Sequence, residues 1–150
     1  MKSVITTGVA MAAIIVGAMA SATSALAAQN FHGNICQPQE GSQVNRFRYS
    51  VGIEALSSGN VACPLDTDGS NIRSIEVNVR FTSIPQATIC NINAVDWNGN
   101  EKASITFSIT PGSQFKIATI PDIAKGSFVA YSVLCGLPKG QVLTSINVNK

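Results

Sequence analysis

Charge is scarce in this chain. Asp, Glu, Lys and Arg make up 12% of its 150 residues, and ten basic against eight acidic residues leave a formal net charge of +2. The basic residues are scattered, so nothing in the sequence provides the positive stripe that attracts nucleic acid or an anionic membrane surface. Histidine occurs once, as His32. It lies in an irregular N-terminal segment, where a catalytic base would not be rigidly held, which argues against a Ser-His-Asp triad and a His-rich metal centre. There is no C-x-x-C pair, so the usual zinc-site spacing is absent as well. The acids Glu40, Glu54, Asp66, Asp68, Glu76, Asp96, Glu101 and Asp122 show no pairing that singles out two carboxyls for glycoside hydrolysis. Helical periodicity is missing too; Ile120 to Ala124 offers one turn at most.

Apolar length is concentrated at the start. Lys2 precedes the run Val9 to Ala20, about 12 residues long, whereas a membrane-spanning helix needs roughly 20. Small residues follow, and Ala25-Leu26-Ala27 has the A-x-A form of a cleavage site. Residues 1–27 are therefore expected to be a secretory signal peptide and residues 28–150 one mature domain without further membrane insertion. The first cysteine, Cys36, is too far from the cleavage site for lipid attachment. Loss of Lys2 with the signal lowers the net charge from +2 to +1. What remains suits a single domain of about 120 residues.

Cys36, Cys63, Cys90 and Cys135 all fall in that domain. Four cysteines in an exported chain imply two disulfides, with three connectivities open. Cys36–Cys63 and Cys90–Cys135 is the expected arrangement. The first would tie the N-terminal segment to an early strand, and the second would join two later strands.

Strand signals fill the rest. Phe47 to Ile53 alternates, and Val61-Ala62-Cys63 is a short strand expected to stop at Pro64. Ile75, Val77, Val79 and Phe81 alternate with Ser74, Glu76, Asn78 and Arg80, the pattern of a sheet with one wet face. Residues 87–97 and 105–109 form a hairpin about Asn98-Gly99, read as a type I′ turn. Phe115 to Ile120 is short, Ser127 to Cys135 is nearly continuous in apolar residues and reads as doubly buried, and Val142 to Val148 alternates. Residues 28–45 look irregular. The whole is an all-β chain, an antiparallel two-sheet sandwich of jelly-roll-like form.

Cys36-Gln37-Pro38, Val61-Ala62-Cys63-Pro64, the strand from Cys90 that ends in Asp96 and Asn98-Gly99, and Tyr131-x-x-x-Cys135 before Pro138 and Gly140 occur in that order. This pattern resembles small exported proteins of Gram-negative bacteria, a group without an assigned activity. The resemblance implies a β-sandwich with two disulfides and carries over no catalytic residue.

Two motifs have ligand chemistry. Asp66-Thr67-Asp68-Gly69-Ser70-Asn71 could offer Asp66 and Asp68 to Ca2+, although Asn71 and Val77 stand where an EF-hand needs Gly and Glu; a plain Asp-Gly turn explains the same residues. No other cofactor is indicated. Trp97 is the one tryptophan, beside a turn with Asp96, Asn98 and Asn100 as hydrogen-bonding neighbours. It fits either a sugar-stacking platform or a cover over one end of the core. A platform needs a second aromatic, and Phe47, Tyr49 and Tyr131 are the candidates. The function expected is a non-enzymatic binding or surface-associated module, periplasmic or extracellular, with a polysaccharide or cell-surface ligand. The alternatives are a subunit of an extracellular assembly and a small hydrolase. Oligomeric state is left open.

Overall fold

The computed structural model describes residues 28–65, 72–81, 86–126 and 128–150. The expected signal peptide, residues 1–27, and the acidic loop with Asp66 and Asp68 lie outside them. In chain order the strands are β1 (Gln29–His32), β2 (Gln37–Pro38), β3 (Phe47–Tyr49), β4 (Ile53–Ala55), β5 (Gly59–Leu65), β6 (Ser74–Arg80), β7 (Thr88–Asp96), β8 (Glu101–Ile109), β9 (Phe115–Thr119), β10 (Val129–Leu137) and β11 (Val142–Asn149). The helical elements among the described residues are three short 3-10 turns.

Two antiparallel sheets face each other. One has the order β3-β4-β11-β6-β9, with β1 also on β11; the other has the order β2-β5-β10-β7-β8. Taken from β4 to β11, the chain crosses between the sheets at every connection except the β7–β8 hairpin, so that β4-β11-β6-β9 opposes β5-β10-β7-β8, the two interlocked Greek keys of a jelly roll. The sandwich expected from the sequence is therefore the fold observed.

Alternation along the strands decides which side is inside. Ile75, Val77 and Val79 of β6 and Ile146 and Val148 of β11 are buried from one sheet, and Ile92, Ala94, Val133 and Cys135 from the other. Both disulfides form as expected, Cys36–Cys63 and Cys90–Cys135, and all four sulfur-bearing residues are buried. Cys90 and Cys135 are direct partners in the β7–β10 register. Cys36 lies one step beyond the β2–β5 pair Gln37 and Ala62, which puts it opposite Cys63. Each bond is thus a cross-strand staple in the inner layer of one sheet.

Several local expectations need correction. Phe47 to Ile53 is two strands, β3 and β4, because the chain bends at Ser50 to Gly52. Gly52 is required there: a Cβ would come within 2.2 Å of the Leu143 carbonyl oxygen, beside the bulge in β11 between Leu143 and Ser145. Pro64 does not stop β5, which runs on to Leu65. β2 pairs only with Val61 and Ala62, so at Pro64 the strand is already an edge and a missing N–H costs nothing. β10 is central but not doubly buried; Ala130, Ser132, Leu134 and Gly136 are exposed or half-buried on its outer side. The N-terminal segment is partly ordered, as β1 on β11 and β2 on β5.

Two fully buried polar side chains satisfy each other, whereas Gln29 Oε1 and Asn147 Oδ1 are buried without a partner among the described residues. Thr88 and Gln141 are fully buried; the Thr88 hydroxyl donates to Gln141 Oε1, and Gln141 Nε2 donates to the Gln86 carbonyl. That link ties the start of β7 to the turn before β11.

The staples close segments with sequence separations of 27 and 45. Replacing Cys90 and Cys135 together by Ala should lower the unfolding free energy by about 3–4 kcal/mol, measured by denaturant titration; a change below about 1 kcal/mol would contradict a structural role.

Candidate binding site

β7 and β8 form the expected hairpin, but its turn is not type I′. The Gly99 N–H donates to the Asp96 carbonyl (2.9 Å) and the Asp96 N–H to the Asn100 carbonyl (2.9 Å). Gly99 has φ +82°, whereas Asn98 is not in the positive-φ region. A three-residue loop, Trp97-Asn98-Gly99, therefore joins the strands, with Gly in the left-handed position. Asp96 is the cause. Its Oδ1 accepts the backbone N–H of Asn98 and of Asn100, both at 2.9 Å, and its Oδ2 accepts Asn100 Nδ2 at 3.2 Å and lies 3.3 Å from Lys102 Nζ. An Asp opening a type I turn in this way satisfies the loop amides itself. The Asp96 carboxylate is thus occupied by its own hairpin, while Asn98 stays exposed at the tip.

These contacts hold the Asp96 carboxyl at about 2 instead of 3.8. The Asn100 N–H contributes most; desolvation opposes the shift, and the Asn100 side chain, Lys102 and the Asn98 N–H add to it.

Trp97 does not cover the core. It is 78% exposed, and so is its neighbour across the sheet, Phe128, at 74%. The β7–β10 register ends with Asp96 opposite Val129, and one step further puts Trp97 opposite Phe128. Parity agrees: Val95 and Ala130 precede them on the outer face, while Val129 is buried. The two rings line one apolar cleft of about 370 Å³. Leaving two large aromatics in water forgoes roughly 1.5–3 kcal/mol each of burial free energy, so the exposed adjacent pair is the candidate site. None of the candidates for a second ring, Phe47, Tyr49 and Tyr131, lines this cleft. Phe47 and Tyr131 are core residues, the latter donating to the Ala124 carbonyl, and Tyr49 donates to the Cys36 carbonyl elsewhere. Phe128 is hidden in the sequence because Ser127 to Cys135 reads as one buried run; outward parity counted back from Ser132 reaches it.

A wider concavity of about 540 Å³ lies along β9, lined by Gly112, Ser113, Phe115, Lys116 and Ile117. It has one ring, not two, and a charged lysine. Among the described residues no cluster of His, Cys, Asp and Glu could hold a metal ion, and no helix is long and apolar enough to cross a membrane. His32 is exposed, its Nδ1 accepting the Asn34 N–H at 3.2 Å.

No protein-family model matches the chain, and no curated protein is similar to it. Among solved structures it aligns with the family 11 carbohydrate-binding module from Clostridium thermocellum in complex with a β-1,3-1,4-mixed-linked tetrasaccharide, at 12% identity and TM-score 0.41, covering 81% of this chain and 86% of that one. It also aligns with TmCBM61 in complex with β-1,4-galactotriose, at 10% identity and TM-score 0.39, covering 81% and 83%. Scores this low assign neither ligand nor site.

The Asp96 contacts make a pH prediction. Folding favours the carboxylate, so the stabilisation is complete above 3.8 and is lost as pH falls toward about 2. Over that window the thermal midpoint of the wild type should fall more steeply than that of Asp96→Asn. Parallel curves would contradict the assignment.

Proposed function

We propose that this protein is an exported, non-catalytic carbohydrate-binding module whose ligand stacks on Trp97 and Phe128. The observation that carries the reading is the exposed aromatic pair in one apolar cleft at the end of the β2-β5-β10-β7-β8 sheet. A sugar ring has an apolar C–H face and a hydroxylated rim, and the two rings match the first. Asn98 and Asn100, exposed on the adjoining loop, match the second. The hairpin holding Trp97 is braced by Asp96, so the platform is ordered before a ligand arrives, which lowers the entropy cost of binding. Two disulfides in the core are consistent with an oxidising compartment. Assembly through a donated strand has less support: β4 to β11 already close both Greek keys, and β1 lies on β11 of the same chain.

Affinity electrophoresis through gels containing neutral polysaccharides tests this reading. The wild type should be retarded in at least one, and Trp97→Ala and Phe128→Ala should each weaken binding about tenfold or more. Because both rings are exposed, unfolding free energies should stay within about 0.5 kcal/mol of the wild type. Unchanged retardation of both variants would contradict the reading.

A further inference from the structure

The two outer faces of the sandwich differ in charge. On the β3-β4-β11-β6-β9 sheet, Arg48 pairs with Glu54 at 2.7 Å, and Glu76 and Arg80 stand on the outward parity of β6. On the other sheet, the three outward rows of β5, β10, β7 and β8 that run from Pro64–Ser132–Asn93–Ser104 to Asn60–Gly136–Ile89–Ser108 contain no ionisable side chain. Charge returns only at the hairpin end, with Glu101 opposite Val95.

Those neutral rows are organised. Asn91 Nδ2 donates to Ser104 Oγ at 2.9 Å and to Thr106 Oγ1 at 2.8 Å. The Ser104 hydroxyl is within reach of Asn91 Oδ1 at 3.2 Å and Asn93 Oδ1 at 3.1 Å. The Asn93 amide NH2 donates to no group among the described residues, and Ser132 stands beside it in the same row. The outcome is a ladder of amides and hydroxyls whose side chains brace one another and keep spare capacity toward solvent. It leads along the strands straight from the Trp97 and Phe128 rings. From Trp97 to Ile89 the strand covers about 26 Å at roughly 3.3 Å per residue.

We propose that this outer face is a track for an extended, uncharged glycan chain, with the aromatic pair as its anchoring end; the inference rests on the carbohydrate reading above. The absence of charge selects the occupant. A polyanionic glycan would find no cation on the rows, and an amide and hydroxyl ladder matches the donors and acceptors of neutral sugar hydroxyls. A second copy of the chain packed on this face would bury the same polar groups against each other, at a cost wherever they were left unpaired.

The test measures binding of the mature protein to a soluble mixed-linked β-glucan, a β-galactan and a xylan, with polygalacturonate as the charged counterpart. Asn93→Asp and Thr106→Asp each put a charge on the ladder at exposed or half-buried positions, and circular dichroism checks their fold. The proposal expects neutral polysaccharide to bind, polygalacturonate not to, and each Asp variant to bind about tenfold more weakly. It is overturned, with the carbohydrate reading left standing, if both Asp variants bind like the wild type while Trp97→Ala does not. Equal binding of polygalacturonate, or a dimer of the wild type that Asn93→Asp dissociates, also overturns it. Failure of the wild type to bind any of the polysaccharides overturns the carbohydrate reading as well.

Discussion

Cys90 and Cys135 face each other across β7 and β10, and Cys36 faces Cys63 across β2 and β5. Each pair can be joined only in one register. A slip of one residue would turn every side chain of a strand to the other face of its sheet. The staples therefore do more than restrict the unfolded chain. They hold Val61, Ile92, Ala94 and Val133 inward, and by the same alternation they hold Asn91, Asn93, Ser132 and Trp97 outward. The inner layer of the sheet fixes what the outer layer presents.

That dependence explains the division of labour between the two sheets. The β3-β4-β11-β6-β9 sheet carries the Arg48–Glu54 ion pair and scattered charge, as ordinary solvated surface does. The disulfide-bearing sheet has a neutral outer face ended by two unprotected rings. Keeping Trp97 and Phe128 in water forgoes the stabilisation that burying them would bring. The cost is tolerable because the register beneath them is held covalently and because Asp96 satisfies the hairpin amides from its own side chain.

Much of the fold could be read from the sequence because its signals are local. Alternation in Ile75 to Phe81 and Val142 to Val148, the Asn98-Gly99 hairpin and the cysteine pairing all became structure. The failures arose where tertiary context overrides a local rule. Pro64 reads as a terminator but sits on an edge; Gly52 reads as part of a strand but marks the bend beside the β11 bulge; Ser127 to Cys135 reads as doubly buried, although small residues, Ala130 and Ser132, occupy its wet side. The turn type was misread because the Asp96 side chain, not the Asn-Gly dipeptide alone, sets its geometry. Of the candidate site, Trp97 was visible as a lone aromatic beside a turn, whereas Phe128 is its partner only through the β7–β10 register, which no single segment encodes.

Trp97 is the only tryptophan, so fluorescence excited selectively at tryptophan, away from the absorption of Tyr49 and Tyr131, reports on the proposed platform. The most direct measurement is iodide quenching of that fluorescence in the folded protein, with and without a saturating neutral polysaccharide to which the protein binds. The account predicts strong quenching in the free protein, as befits a ring 78% exposed, with protection and a blue shift when the polysaccharide is bound. Binding with the tryptophan still open to iodide would contradict it, and the ligand would then have to lie elsewhere on the sandwich.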